Sequence, residues 1–181
     1  MDYKLIRSDR KTLSLQIKPD GTLLARAPRR MAKREIDRFI LEHLDWIEKR
    51  QAAAARGPKV APMSEEELAA LKKQARPVFL ARAAYFAPLI GVRYERIAVR
   101  AQHSKWGSCS SKGNLNFNCL LLLAPMEVLD YVVVHELCHR RHMDHSAAFW
   151  AEVGRILPDY AARRQWLKKN GSALMARLPE G

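Results

Sequence analysis

Cysteine is scarce and unpatterned in this chain. Cys109, Cys119 and Cys138 are the only three in 181 residues, and no two form a CxxC pair. An odd, scattered set argues against both a disulfide framework and a cysteine-rich zinc site. A reducing cytosol is the expected compartment. Long apolar runs are missing as well. The longest, LLLLA after Cys119 and YVVV before His135, fall far short of the ~20 residues a membrane span needs. The segment MDYKLIRSDRK is charged from its second residue and holds no apolar stretch, so neither a signal peptide nor a membrane partner is expected. There is no internal repeat, no low-complexity tract beyond the AAAA of 52–55, and no glycine-rich phosphate loop.

Acidic residues are also in deficit. Nineteen Asp and Glu stand against 32 Lys and Arg, a net charge of +13. The excess is spread along the chain: residues 1–60 carry 15 basic and 8 acidic side chains, and residues 61–181 carry 17 and 11. Such a field favours nucleic acid, nucleotides, acidic proteins or anionic surfaces as partners. A solvated basic surface accounts for it equally well, so charge alone names no partner. With 48% apolar and 28% charged residues, the chain has the composition of a globular protein whose core needs no disulfides.

The pattern along the chain predicts an α+β protein. KLIRS, LSLQIK and, after Pro19-Asp20-Gly21, TLLARA read as strands of an antiparallel meander or hairpin. Residues 31–50 change period: Ile36, Phe39, Ile40, Leu44 and Ile47 share one helical face. Residues 51–63, with Gly57, Pro58 and Pro62, read as a linker or a broken helix end. This places a boundary between an N-terminal domain, 1–63, and a second domain, 64–181. Ser64 and the acids of SEEEL open a helix with Pro77 as a kink or break, ended by Pro88 and Gly91. ERIAVRA and GNLNFN read as strands around the turn-rich SCSSKG, and LLLLA as strand or buried turn. A helix begins at Pro125. Two more are expected over roughly 145–156 and 159–169.

The chemistry sits in the helix that Pro125 begins. His135-Glu136-Leu137-Cys138-His139 puts two imidazoles one turn apart on one face. Two such rings converge on one metal, and Glu136, beside the first, reaches a metal-bound water without ligating. Zinc suits two His plus one further N or O ligand with the fourth position open to water. That water is acidified by the metal and deprotonated by Glu136. Four of the chain's six histidines lie between 135 and 145.

Three residues compete for the third ligand. His142 is on the same side as His135 but about 10.5 Å farther along the axis at 1.5 Å per residue. His145 follows Asp144, an expected N-cap that would place it in the first turn of the next helix, and a chain reversal would return it to the metal. Glu152, seven residues beyond His145, offers a carboxylate. Geometry ranks His145 first, then His142, then Glu152.

A family resemblance runs through these segments. Ser104-Lys105-Trp106-Gly107-Ser108-Cys109, Leu115-Asn116-Phe117-Asn118, Tyr131 to His139, His145-Ser146 and Phe149-Trp150 resemble the YgjP-like metal-dependent hydrolases, within the WLM and SprT-like zincin metallopeptidases. Pro19-Asp20-Gly21, Arg26-Ala27-Pro28 and Asp45-Trp46-Ile47-Glu48 resemble that family too, so the likeness covers nearly the whole chain. It implies His135, His139 and His145 as ligands of one Zn2+ or other divalent ion, Glu136 as catalytic acid/base, and His142 as a variable position. It also implies a minimal zincin core: a sheet, an active-site helix, and a following helix that returns the third ligand.

Other residues have bland readings beside functional ones. Trp106 to Cys109 read as a tight turn or as a wall of the cleft. Tyr131, one turn before His135, reads as core or as an oxyanion donor. His43 and His103 read as structural or solvent-facing, and Cys109 and Cys138 as small apolar residues rather than nucleophiles. Arg163, Arg164, Lys168 and Lys169 read as a solvated face beside Trp166, with anion binding as the alternative. Three functions follow: a zinc metallopeptidase acting on a peptide or protein; a metal-dependent nucleotide phosphoanhydride hydrolase, motivated by the positive charge; and a nucleic-acid-associated zinc module.

Overall fold

The computed structural model describes residues 2–18, 20–56 and 61–179. Pro19 of the expected turn and residues 57–60 of the expected linker lie outside them. The chain divides into two compact units, Met1–Lys59 and Val60–Gly181.

The first unit holds β1 (Lys4–Ser8), β2 (Ser14–Ile17), β3 (Leu23–Pro28), α1 (Lys33–Glu42) and α2 (Leu44–Arg56). The sheet order is β1-β3-β2, with β1 parallel and β2 antiparallel to β3. This corrects the antiparallel meander expected from sequence. The most apolar strand takes the centre: Leu23, Leu24, Ala25 and Ala27 of β3 are all buried, while β1 and β2 keep exposed positions and serve as edges. The Arg7 guanidinium donates to the carbonyls of Pro28, Arg29 and Met31 and so fixes the β3–α1 turn. Ile36, Ile40 and Ile47 close the core over Leu23, Ala25 and Ala27. The helical face expected over 31–50 is shared by two helices that break at His43, and residues 51–56 continue α2 rather than forming a linker. The run of alanines, the best helix formers, explains that extension.

The second unit begins its helices with α3 (Glu65–Ile90). Ser64 Oγ accepts from the Glu67 amide, and Glu67 Oε2 accepts from the Ser64 amide, closing a capping box. The helix runs unbroken past Pro77 and ends at Gly91 as expected, but Pro88 lies inside its last turn rather than ending it. Leu68, Leu71, Ala75, Phe79, Ala83, Phe86 and Ile90 form a continuous buried stripe. Packing along it outweighs the ~3 kcal/mol that an interior proline costs. Gly91, at φ 73°, supplies the left-handed C-cap.

Three strands follow, β4 (Ile97–Arg100), β5 (Gly107–Cys109) and β6 (Leu115–Asn118), in the order β4-β6-β5. β4 runs parallel to the central β6, and β5 lies antiparallel at the edge. The LLLLA segment is mostly a buried 3-10 turn, Cys119–Leu123. Then come α4 (Met126–Cys138), with Pro125 as its N-cap, α5 (Ala147–Ile156) and α6 (Tyr160–Met175). Ten of the thirteen residues of α4 are buried. It is therefore the central helix of the unit, apolar almost all round. The class is α+β, and this unit combines a small sheet, a buried central helix and the helices that follow it. Among the described residues no helix is long and apolar enough to cross a membrane.

One polar pair locks α4 in place. Arg82 of α3 donates twice to the buried Asp130, at 2.6 and 2.7 Å. Removing one partner strands a desolvated charge, whereas replacing both removes the problem. Because Arg82 is partly exposed, Asp130→Ala is expected to cost ~2 kcal/mol, below the range for fully buried pairs. The expected fall in Tm is ~4–8 °C. Thermal unfolding of Arg82→Leu/Asp130→Leu should recover most of that loss. An Asp130→Ala variant melting with wild type would contradict the assignment.

Candidate metal centre

Helix α4 ends at Cys138, so His135 lies in its last turn and His139 is its C-cap. The chain then turns through 140–146. Ser146, not Asp144, is the N-cap of α5: its hydroxyl accepts from the Phe149 amide, and Asp144 Oδ1 accepts from the Ser146 amide. His145 therefore stands in the loop just before α5 rather than in its first turn. The reversal carries it back over the end of α4. One potential ligand atom from each of His135, His139 and His145 lies within 4.8 Å of the other two. Ring centroids are 4.9 Å apart for 135–139, 5.0 Å for 135–145 and 4.8 Å for 139–145. The fully buried Phe149 touches all three rings, with centroids 4.6–4.9 Å away. Neither His142 nor Glu152 joins this cluster. Glu152 pairs with Arg155 at 2.9 Å and with Arg141 at 3.7 Å, and His142 contributes only its carbonyl.

The rings suit a cation. His139 Nδ1 lies 2.8 Å from the His142 carbonyl and must donate to it, which leaves the Nε2 lone pair free. His135 Nε2 and His145 Nε2 face each other at 3.1 Å. Two nitrogens bonded to one tetrahedral zinc at 2.0–2.1 Å would lie roughly 3.3 Å apart. Burial, then its histidine neighbours and Arg164, lowers the His135 pKa to about 3, so that ring is neutral. Its Nδ1 is buried with no partner among the described residues. Burial likewise lowers the His139 pKa.

Glu136 follows His135 in the last turn of α4. It is buried, and no hydrogen bond reaches its carboxyl from the described residues. Burial pushes its pKa up to about 8, with Lys105 pulling the other way. Against it lies Gly107 of edge strand β5. A Cβ there would fall 2.5 Å from Glu136 Oε1 and 2.7 Å from its Cγ. Thus the WGSC segment is a strand as well as a turn, and its glycine is the wall on which Glu136 rests. Asn118 holds the approach to that strand: its side-chain amide donates to the carbonyls of Gln102 and Lys105.

The remaining sequence candidates divide clearly. Tyr131 is buried, with its ring edge-on to His135 at 5.8 Å. Trp106 packs on Gly171, where a Cβ would meet the indole at 2.9 Å. Burial pushes the Cys138 thiol up to about 12 and raises Cys109, so neither is a thiolate nucleophile at neutral pH. His43 lies in the first unit against the Phe39 carbonyl, and His103 is exposed. Sequence reasoning missed Arg82, Asp130, Asn118 and the tight role of Gly107. Only the last had a local signal, since a glycine within a strand marks close approach of another group.

A family profile described as YgjP-like, metallopeptidase domain, matches residues 11–70 and 63–170. The chain belongs to the YgjP-like metallopeptidase family. It is accordingly a hydrolase of the metallopeptidase kind, and membership implies a divalent metal. Among curated proteins none matches the chain. Of solved structures, the metallopeptidase zymogen of Pyrococcus abyssi abylysin is similar over 50% of this chain and 93% of that one, at 21% identity and a TM-score of 0.45.

The Gly107 contact yields a direct expectation for this YgjP-like site. Gly107→Ala should displace the Glu136 carboxyl while leaving the three histidines in place. Peptide turnover should fall by about a hundredfold or more, with metal uptake, read by equilibrium dialysis, close to wild type. Undiminished turnover would show that Glu136 does not depend on this contact.

Proposed function

We propose that this chain is a zinc peptidase of the HExxH-x5-H type, with His135, His139 and His145 holding one zinc ion and Glu136 acting as general base and then general acid. The supporting observation is the clustering of three imidazoles at the end of α4, whose ring nitrogens converge, with the buried Glu136 carboxyl next in sequence to His135 and without a hydrogen-bond donor among the described residues. An all-imidazole set suits zinc better than the harder Mg2+ or Ca2+. The metal, when bound, supplies Lewis acidity. A Glu136 oxygen takes a proton from the attacking water and delivers it to the departing amine nitrogen. Gly107–Cys109 supports a peptide substrate. This strand pairs with β6 on one side only, so an extended peptide can add to its free edge next to Glu136.

We assign this chemistry to residues 64–181 and treat 1–63 as a separate domain. The three free thiols suit a reducing, cytoplasmic setting. The +13 charge, spread along the chain, singles out no nucleotide or nucleic-acid site among the described residues.

Stripped with a chelator and titrated with zinc, the chain should take up one ion. Alanine at His135, His139 or His145 should weaken that uptake at least about a hundredfold, while His142→Ala should retain it. Glu136→Gln should bind zinc as wild type does and lose about a thousandfold in turnover of unfolded-protein substrates. Full turnover by Glu136→Gln would remove the mechanism. Failure of the fully zinc-loaded wild type to cleave any peptide would remove the peptidase reading.

A further inference from the structure

Most basic side chains around the three histidines already have partners. Arg163 pairs with Asp159, and Arg141 and Arg155 with Glu152. Arg140 donates to the carbonyls of Arg93 and Ser111. Arg164 has no carboxylate partner among the described residues. Its guanidinium lies over the Trp150 indole, 4.8 Å from the ring centroid. Trp150 in turn stacks on His145 at 5.8 Å and 27°, lies 5.8 Å from His135, and stacks on Tyr160 at 5.4 Å and 17° on α6. One indole ring therefore touches both an exposed guanidinium and the rings of two of the proposed zinc ligands.

A guanidinium laid on an aromatic face keeps its in-plane N–H donors free. Those donors match the two oxygens of a carboxylate, and the stack fixes their direction in advance. We infer that Arg164, seated on Trp150, is a carboxylate-binding subsite that makes this peptidase prefer substrates bearing an acidic side chain or a free C-terminus near the scissile bond. The inference rests on the peptidase reading above and adds a substrate class to it. Charge in the site is otherwise in keeping. Lys105, two residues before Gly107, adds a positive field on the Glu136 side, and the nearby Glu152 is already neutralised by two arginines.

The test measures kcat/KM of the zinc-loaded chain on matched quenched-fluorescence peptides carrying Asp or Glu, Asn or Gln, or Lys at each position around the cleavage site. Each is made with a free and with an amidated C-terminus. Acidic peptides should be favoured over their amide counterparts by about tenfold. The preference should shrink in high salt. In Arg164→Gln the ratio should approach one, and in Arg164→Glu it should turn toward the Lys peptides. Comparing free with amidated termini tells a terminal carboxylate from a side-chain one. Equal kcat/KM for acidic and neutral peptides in the wild type overturns the inference. So does a uniform loss on every peptide in Arg164→Gln, because Arg164 would then serve only to hold Trp150. If no peptide is cleaved, the peptidase reading fails separately. Calorimetric binding of the same peptides to zinc-loaded Glu136→Gln, with and without Arg164→Gln, then decides. An acidic preference that vanishes with Arg164 supports the subsite, and equal affinities overturn it.

Discussion

The reversal of the chain between α4 and α5 is the constraint from which the site follows. A single helix can present His135 and His139, but the third imidazole has to arrive from elsewhere. Ending α4 at Cys138 and restarting the helix at Ser146 returns His145 within reach of the first two rings. The helix end also leaves the His142 carbonyl free of helical bonding, so that it accepts from His139 Nδ1 and orients that ring. Phe149, one turn into α5, then fills the space beneath all three imidazoles. A deeply buried aromatic has few alternative placements, so the convergence of the rings is set by core packing as much as by their own contacts.

Keeping a carboxyl buried without hydrogen-bond partners among the described residues is costly, and the surroundings show how the cost is met. Glu136 is carried by a helix buried nearly all round, pinned to α3 by the Arg82–Asp130 pair and covered by the backbone of Gly107. None of these groups bonds to the carboxyl itself. They hold its position and leave its preference for a proton or a cation intact, as the proposed role of general base would require.

The histidine cluster was more legible in the sequence than the architecture. His135, Glu136 and His139 declare themselves because helical periodicity is short-range: spacing alone puts two rings on one face. His145 could only be ranked first, since the reversal that returns it depends on where two helices end. The prolines were misleading for the same reason. Pro77 predicts a kink or break and Pro88 an end from local cost, but the buried stripe of α3 carries the helix through both to its C-cap at Gly91. The central place of β3 and the parallel pairing of β1 were likewise hidden, because pairing partners are chosen by burial across the sheet and not along the strand. Arg82–Asp130, Asn118 and the Gly107 contact join residues whose closeness exists only in the folded chain.

The central claim is that one ion sits among three imidazole nitrogens with a position left open to solvent. X-ray absorption at the zinc edge of the metal-loaded chain tests it most directly. The account predicts three nitrogen scatterers of imidazole type at about 2.0–2.1 Å together with a light oxygen atom, and loss of one imidazole from the pattern in His145→Ala. A sulfur shell near 2.3 Å, or an unchanged spectrum in that variant, would contradict it.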